Sequence, residues 1–325
     1  MGIIDNLNAN LEPSIKKEKK RVSSKHLLWK RIKRYKWFYL LALPGLLYFI
    51  IMKYLPMWGL LLAFKDYNPY VGFWASEWVG FDHFTAFFSN GEFWKLLRNT
   101  LTISFLNLIF FFPAPIILAL MLNEVRHSAF KRITQTIVYL PHFLSWVIIV
   151  SFTFLFFSMD IGLINKAISS LGFDKIPILS EAKYFYGLIV GQTIWKEVGW
   201  GTIIFLAAMA GVDPQLYESA TVDGAGRFRK MWHITLPAIR STIIILMILK
   251  LGDTLDVGFE QILLMLNPMV QNVGDVFDTY VYRQGILSGN FSYSISVGFF
   301  KSIVGLILVV GANSLARRYG NDSLF

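Results

Sequence analysis

The sequence predicts an all-α membrane protein with six transmembrane helices and one short helical segment set apart from them. Three observations predict it. Of 325 residues, 55% are hydrophobic and only 16% are charged, against roughly 25% charged in soluble domains. Six runs are long and apolar enough to cross a bilayer, which takes ~20 residues of helix. The charges between the runs alternate in sign bias from one connection to the next.

The first run covers 37–64 and opens "WFYLLALPGLLYFI". The second covers 99–122 with Pro113 and Pro115 inside it, and the third 133–157 with Pro141 inside. Proline is tolerated in a span when neighbouring groups satisfy the freed carbonyls. The fourth, fifth and sixth runs cover 186–210, 239–260 and 294–316.

Ahead of the first run, eleven of the 31 Lys and Arg lie between Lys16 and Lys36. The connection after the second run carries Arg126, Lys131 and Arg132 against Glu124. The one after the fourth carries Arg227, Arg229, Lys230 and Arg240, and the tail carries Arg317 and Arg318. The other three connections are balanced or slightly acidic. Positive connections stay on the cytoplasmic side, so both termini are expected there. The basic arm is thus a topology signal that attracts anionic lipid, and the net charge of +10 implies no nucleic-acid partner. About 36 polar residues before the first run exclude a secretory leader. The expected organisation is a cytoplasmic arm over 1–36, a membrane domain over 37–316 and a tail over 317–325. The first outer connection holds Tyr67, Tyr70, Phe73, Trp74 and Trp78, either an interfacial aromatic belt or a docking surface.

Several chemistries are excluded. With no cysteine there is no thiol catalysis or thiolate metal site. His26, His83, His127, His142 and His233 show no metal-binding spacing, so no metal site is expected. No catalytic residue is expected either: G-x-S-x-G is absent, as is the phosphate loop G-x-x-x-x-G-K-[ST]. "DGAGRFRK" lacks a third glycine and follows a helix.

The segment "YESATVDGAGRFRKMWHITLP" over 217–237 interrupts the apolar text. Asp213 caps and Pro214 opens a helix, Asp223-Gly224 turns it, and "RFRKMWHI" resumes as a second helix before Leu236-Pro237. Such a unit is built to be rigid and to fit a partner.

This segment resembles the E-A-A-x-x-x-G … I-x-L-P loop of type I ABC importer permeases. The matching residues are Glu218, Ser219, Ala220, Asp223, Gly224, Ala225, Ile234, Leu236 and Pro237. Ser219, Met231 and Ser241 depart from the usual Ala, Phe and Pro. The resemblance implies a coupling loop over 213–237 whose helix inserts into a groove of a cytoplasmic ATPase. It implies two such ATPases, which bind ATP and Mg where this chain binds no cofactor. It also implies a second homologous permease, completing a heterodimer, and an extracytoplasmic solute-binding protein, all at the cytoplasmic membrane of a bacterium. The stretch "YLPMWGLLLAFKDYNPY" and the basic arm resemble the carbohydrate branch, whose members include permeases for complex, uronic-acid-containing oligosaccharides such as those from pectin. Related importers of peptides or amino acids are the alternative.

Ionisable residues inside spans are costly and mark pathways. Lys250, Asp253, Asp256 and Glu260 recur at three, three and four residues, as one helical stripe would. Trp195, Lys196, Glu197 and Trp200 lie in the fourth run and Lys301 in the sixth. These residues are the expected substrate path, carboxylates accepting hydroxyls and indoles stacking on sugar rings; Lys250 and Asp253 pairing within the helix is the plainer alternative. An ion-coupled secondary transporter would use the same carboxylates, yet no internal repeat is visible and the rigid insert would have no role.

Overall fold

A computed structural model of the chain describes residues 33–319. It divides into two compact units, Met1–Gly59 and Leu60–Phe325. The expected basic arm falls outside the described residues except for 33–36. The last helix runs on through the start of the expected tail to Tyr319.

Helix α1 covers Lys36–Phe64. A two-residue strand follows, β1 (Lys65–Asp66), which pairs antiparallel with β2 (Glu77–Trp78). The indole of Trp78 stacks on Phe64, with ring centroids 5.8 Å apart. Between the strands lies the single turn α2 (Gly72–Ala75), and beyond them α3 (Asp82–Ser89). Then come α4 (Glu92–Asn123), α5 (Ser128–Phe143) and α6 (Trp146–Phe157). The remaining elements are α7 (Leu163–Ser170), α8 (Ala182–Ala210), α9 (Pro214–Val222), α10 (Arg227–Ala238), α11 (Arg240–Gly252), α12 (Phe259–Met265), α13 (Gln271–Gly274), α14 (Phe277–Tyr282) and α15 (Phe291–Tyr319).

Among the described residues, α1, α4 and α15 are each long and apolar enough to cross a membrane. Two bent pairs pass the same test together: α5 with α6, bent by 101°, and α10 with α11, bent by 60°. Helix α8 has 29 residues, ~43 Å at 1.5 Å each, with Gln192, Lys196 and Glu197 interrupting its apolar text. By length and apolarity these make three spans, or five if each bent pair is one; α8 covers the fourth expected run without meeting the same test, and two of the expected runs differ from a straight span. The third is broken at Leu144 and Ser145. The fifth ends at Gly252 instead of 260, and the backbone leaves the helix until Gly258, whose φ is +92°.

Proline sets the local geometry. Wide π turns occupy Ile50–Tyr54, Asn107–Phe111 and Met231–Thr235, and each ends two residues before a proline: Pro56, Pro113 and Pro237. A proline ring lacks the N–H donor and clashes with the carbonyl four residues back. Widening the preceding turn to a five-residue bond relieves that clash. In α4 the Phe112 N–H accordingly donates to the Asn107 carbonyl at 2.9 Å.

Helix α8 is the hub of the second unit. A Cβ added at Gly199 would meet the Val138 carbonyl oxygen at 2.0 Å, and one at Gly201 would meet Pro115 Cγ at 2.9 Å. Small residues thus let α5 and α4 approach the backbone of α8, which drives packing where lipid supplies no hydrophobic force. Polar side chains tie α8 and α4 to further elements. Gln192 donates to Thr153 Oγ1 at 2.7 Å, while Gln261 donates to Gln192 Oε1 at 2.9 Å and to the Ile189 carbonyl at 2.8 Å. Fully buried Asn99 donates to the carbonyls of Asn272 and Asp275, both at 2.9 Å.

Candidate coupling surface and interior charge sites

The segment over 213–237 folds as two helices clasped by their own side chains. Asp213 Oδ1 accepts the Gln215 N–H at 2.9 Å, and Pro214 takes the first helical position, where a missing N–H costs nothing. Helix α9 ends in a paired closing motif: the Ala225 N–H reaches the Ala220 carbonyl at 2.8 Å, and the Gly224 N–H reaches that of Thr221 at 3.1 Å. Between them Gly224 has φ +75°, the left-handed conformation this motif needs and glycine adopts at least cost. Across the turn, the Tyr217 hydroxyl lies 3.0 Å from Thr235 Oγ1, and Lys230 Nζ donates to Thr221 Oγ1 at 2.5 Å.

One end of this unit is anchored and the other is open. Leu236 and Ile239 pack with Ala119, Phe205 and Met209 in a core joining α4, α8 and α11. Opposite them Val222 is 88% exposed and Phe228 83%, with Trp232 and Leu216 also exposed. Glu218, Ser219, Asp223 and Pro237 are exposed, and Ala220, Ala225 and Leu236 are half-buried. An exposed apolar cluster rimmed by charge marks a contact surface. The sequence reading singled out the polar residues here and missed Val222, Phe228 and Trp232, because which face of so short a helix is free depends on where it is anchored.

The interior charges do not form one stripe. Helix α11 stops at Gly252, where a Cβ would meet Val309 Cγ2 at 2.3 Å. Lys250 is therefore on the helix, half-buried, with its ammonium 5.8 Å from the Phe111 ring centroid. Asp253 follows the last turn and is exposed, and Glu260 starts α12. Asp256 alone of the four lines a cavity of about 640 Å³, shared with Asp278, Phe291 and Ser294. Lys301 bridges these carboxylates, bonded to Asp278 and 3.7 Å from Asp256. Asp278 Oδ2 and Ser294 Oγ are buried without a hydrogen-bond partner, two polar atoms unsatisfied at the cavity wall. Asp278 lies outside the six expected runs, and nothing in the sequence spacing ties it to Lys301.

Of the four residues expected on α8, three form a latch. Lys196, 7% exposed, donates to the carbonyls of His142 at 2.6 Å and Leu144 at 2.7 Å. Those carbonyls are freed by the break between α5 and α6, and a buried charge needs such partners. Glu197 Oε2 lies 2.7 Å from His142 Nδ1, and the imidazole stacks on Trp200 at 4.4 Å. Lys196 thus holds backbone, where a path-lining role had been expected. Trp195 stands apart, on the wall of a mainly apolar recess of about 390 Å³.

Comparison with known proteins agrees with this architecture. Residues 111–321 match the family described as binding-protein-dependent transport system inner membrane component. Protein LplB of Bacillus subtilis (strain 168) is 61% identical over 90% of this chain and 92% of its own. The polygalacturonan/rhamnogalacturonan transport system permease protein YteP of the same organism is 53% identical over 95% of each chain. A crystal structure of a bacterial ABC transporter involved in the import of the acidic polysaccharide alginate contains a chain with TM-score 0.83 and 42% identity, covering 90% of this chain and 98% of that one. With well over half its length inside the family match and close relatives along nearly all of it, the chain belongs to the binding-protein-dependent transport system inner membrane components, permease subunits of ABC importers with the type I fold.

Proposed function

We propose that the chain is one permease half of an ATP-driven importer of complex oligosaccharides that include uronic acids, of the pectin-derived kind. The observation that carries the coupling half of this reading is the clasped α9–α10 unit. Its exposed Val222 and Phe228 offer a partner ATPase a rigid apolar contact, and its base is packed into α4, α8 and α11. A push on the exposed end therefore moves three membrane helices together, and the non-helical stretch from Asp253 to Gly258 is where α11 can turn relative to α12. Nucleotide and Mg belong to the ATPase, and this chain performs no hydrolysis of its own.

The remaining parts of the assembly are a second homologous permease, two ATPases on the cytoplasmic side with both termini of this chain, and a solute-binding protein on the other side. The substrate class is supported by the relatives: YteP carries polygalacturonan and rhamnogalacturonan in its name, and the alginate importer has a structure in complex with an alginate pentasaccharide-bound periplasmic protein. Within the chain, a cavity lined by Asp256, Asp278, Ser294 and Ser302 presents hydrogen-bond acceptors and hydroxyls to a sugar, with Lys301 paired to Asp278 behind the wall.

The test is purification of the tagged chain from its native membrane in mild detergent, then uptake by the reconstituted complex. An ATPase, a second permease and uptake of oligogalacturonides are expected. Recovery of the chain alone, or uptake of peptides in place of sugars, would overturn the reading.

A further inference from the structure

Two polar recesses of about 450 Å³ each lie between the connection after α1 and the one before α15. They share Asn90, Tyr280 and Gln284, so they form one cleft. Phe291 belongs to both this cleft and the 640 Å³ cavity of Asp256 and Asp278, so the two spaces lie on either side of one side chain. The connections that build it join different helices from those flanking the coupling unit.

The groups in the cleft are held in place before any ligand arrives. Arg283 bonds Asp275 Oδ2 at 2.5 Å, and that carboxylate is fully buried and takes a further bond from Thr279 at 2.8 Å. The guanidinium also sits 5.5 Å from the Tyr280 ring centroid. Lys95 pairs with Glu92 at 2.5 Å, and Asn290 donates to Gln284 Oε1 at 3.1 Å. Tyr67 and Phe291 stand edge to face, 6.2 Å apart, as an aromatic wall.

The charge balance selects the ligand. Lys95 and Arg283 are each matched by a carboxylate, and Asp66 lies in the same cleft, so no net field favours a bare cation or a bare anion, and a ligand is held by hydrogen bonds more than by its charge. What remains is a dense mixture of donors and acceptors beside aromatic rings. A hydroxyl both donates and accepts, and sugar rings carry many of them around an apolar face.

From this geometry we infer that the cleft is a saccharide subsite outside the main cavity, taking the trailing units of an oligosaccharide whose leading unit passes Phe291. The inference rests on the oligosaccharide import proposed above. Gln284 is its specificity-determining residue, because of the three residues that line both recesses it has the longest side-chain amide, able to donate and accept at once, and Asp66 is a second, exposed one.

The test uses the complete importer with its binding protein and ATP in proteoliposomes, and a ladder of oligogalacturonides from the disaccharide to the hexasaccharide. Wild-type uptake of the ladder is measured first; if no member is carried, the substrate reading itself fails. With uptake established, Gln284→Ala should raise the apparent KM of the longest members about three- to tenfold, as loss of one or two hydrogen bonds does, and leave the disaccharide unchanged. Asp66→Asn, which keeps the side-chain shape but removes a charge that faces the galacturonate carboxylates, should alter the apparent KM of the longest members and leave the disaccharide unchanged. A change equal at every length would assign the cleft to docking of the binding protein, and no change in either variant would make it an empty recess. Either result overturns the subsite.

Discussion

Lys196 illustrates how a single buried charge can be read in two ways. An ammonium inside a span is by default a pathway residue, yet here its donors are consumed by the carbonyls of His142 and Leu144. Lys196→Met should leave those carbonyls unpaired beside Leu144 and Ser145, where α5 gives way to α6. Hydrogen bonds from a charged donor contribute about 1.5–3 kcal/mol, so the variant should unfold at a lower temperature in detergent while the substrate selectivity of surviving protein stays the same. Altered selectivity with unchanged thermal stability would return Lys196 to the substrate path. The sequence could name Lys196 as unusual but not its partners, because they are backbone atoms exposed by a break 52 residues away.

At the scale of elements, what was legible followed from local chemistry. Asp213-Pro214, Gly224 and Leu236-Pro237 announced the coupling unit, and the structure forms it with the expected cap and turn. Prolines inside the expected spans read as tolerated, and the wide turns that precede Pro56, Pro113 and Pro237 are what the structure adds. What was illegible depended on where helices stop. The stripe from Lys250 to Glu260 assumed a helix through Gly252, but that glycine lies against Val309, and Gly258 takes a left-handed conformation. The periodicity therefore grouped Asp253 with Asp256, while the fold groups Asp256 with Asp278 and Lys301. Asp253→Ala should accordingly leave uptake kinetics unchanged. Asp256→Asn and Asp278→Asn should each change the apparent KM severalfold with assembly intact. If Asp253→Ala impairs uptake and the other two do not, the break between α11 and α12 has been assigned the wrong role.

On the scale of the whole molecule, the proposed function has the chain carry motion between two surfaces, driven by a partner ATPase. Under the proposed function, the clasped unit over 213–237 meets the ATPase at the exposed Val222 and Phe228, and the core of Phe205, Met209, Leu236 and Ile239 ties that unit to α4, α8 and α11, while the cavity of Asp256 and Asp278 is built by other elements, α12, α14 and α15 among them. The absence of cysteine makes this claim directly testable. Phe228→Cys and Val222→Cys each introduce the sole thiol of the chain, and Tyr70→Cys places one in the connection after α1, where Tyr70 is 97% exposed. The decisive measurement is thiol cross-linking of these three variants in native membranes, followed by identification of the adducts. The account predicts an adduct with the ATPase from positions 228 and 222 and none from position 70. An ATPase adduct from Tyr70→Cys, or none from the other two while the ATPase still copurifies, would contradict it.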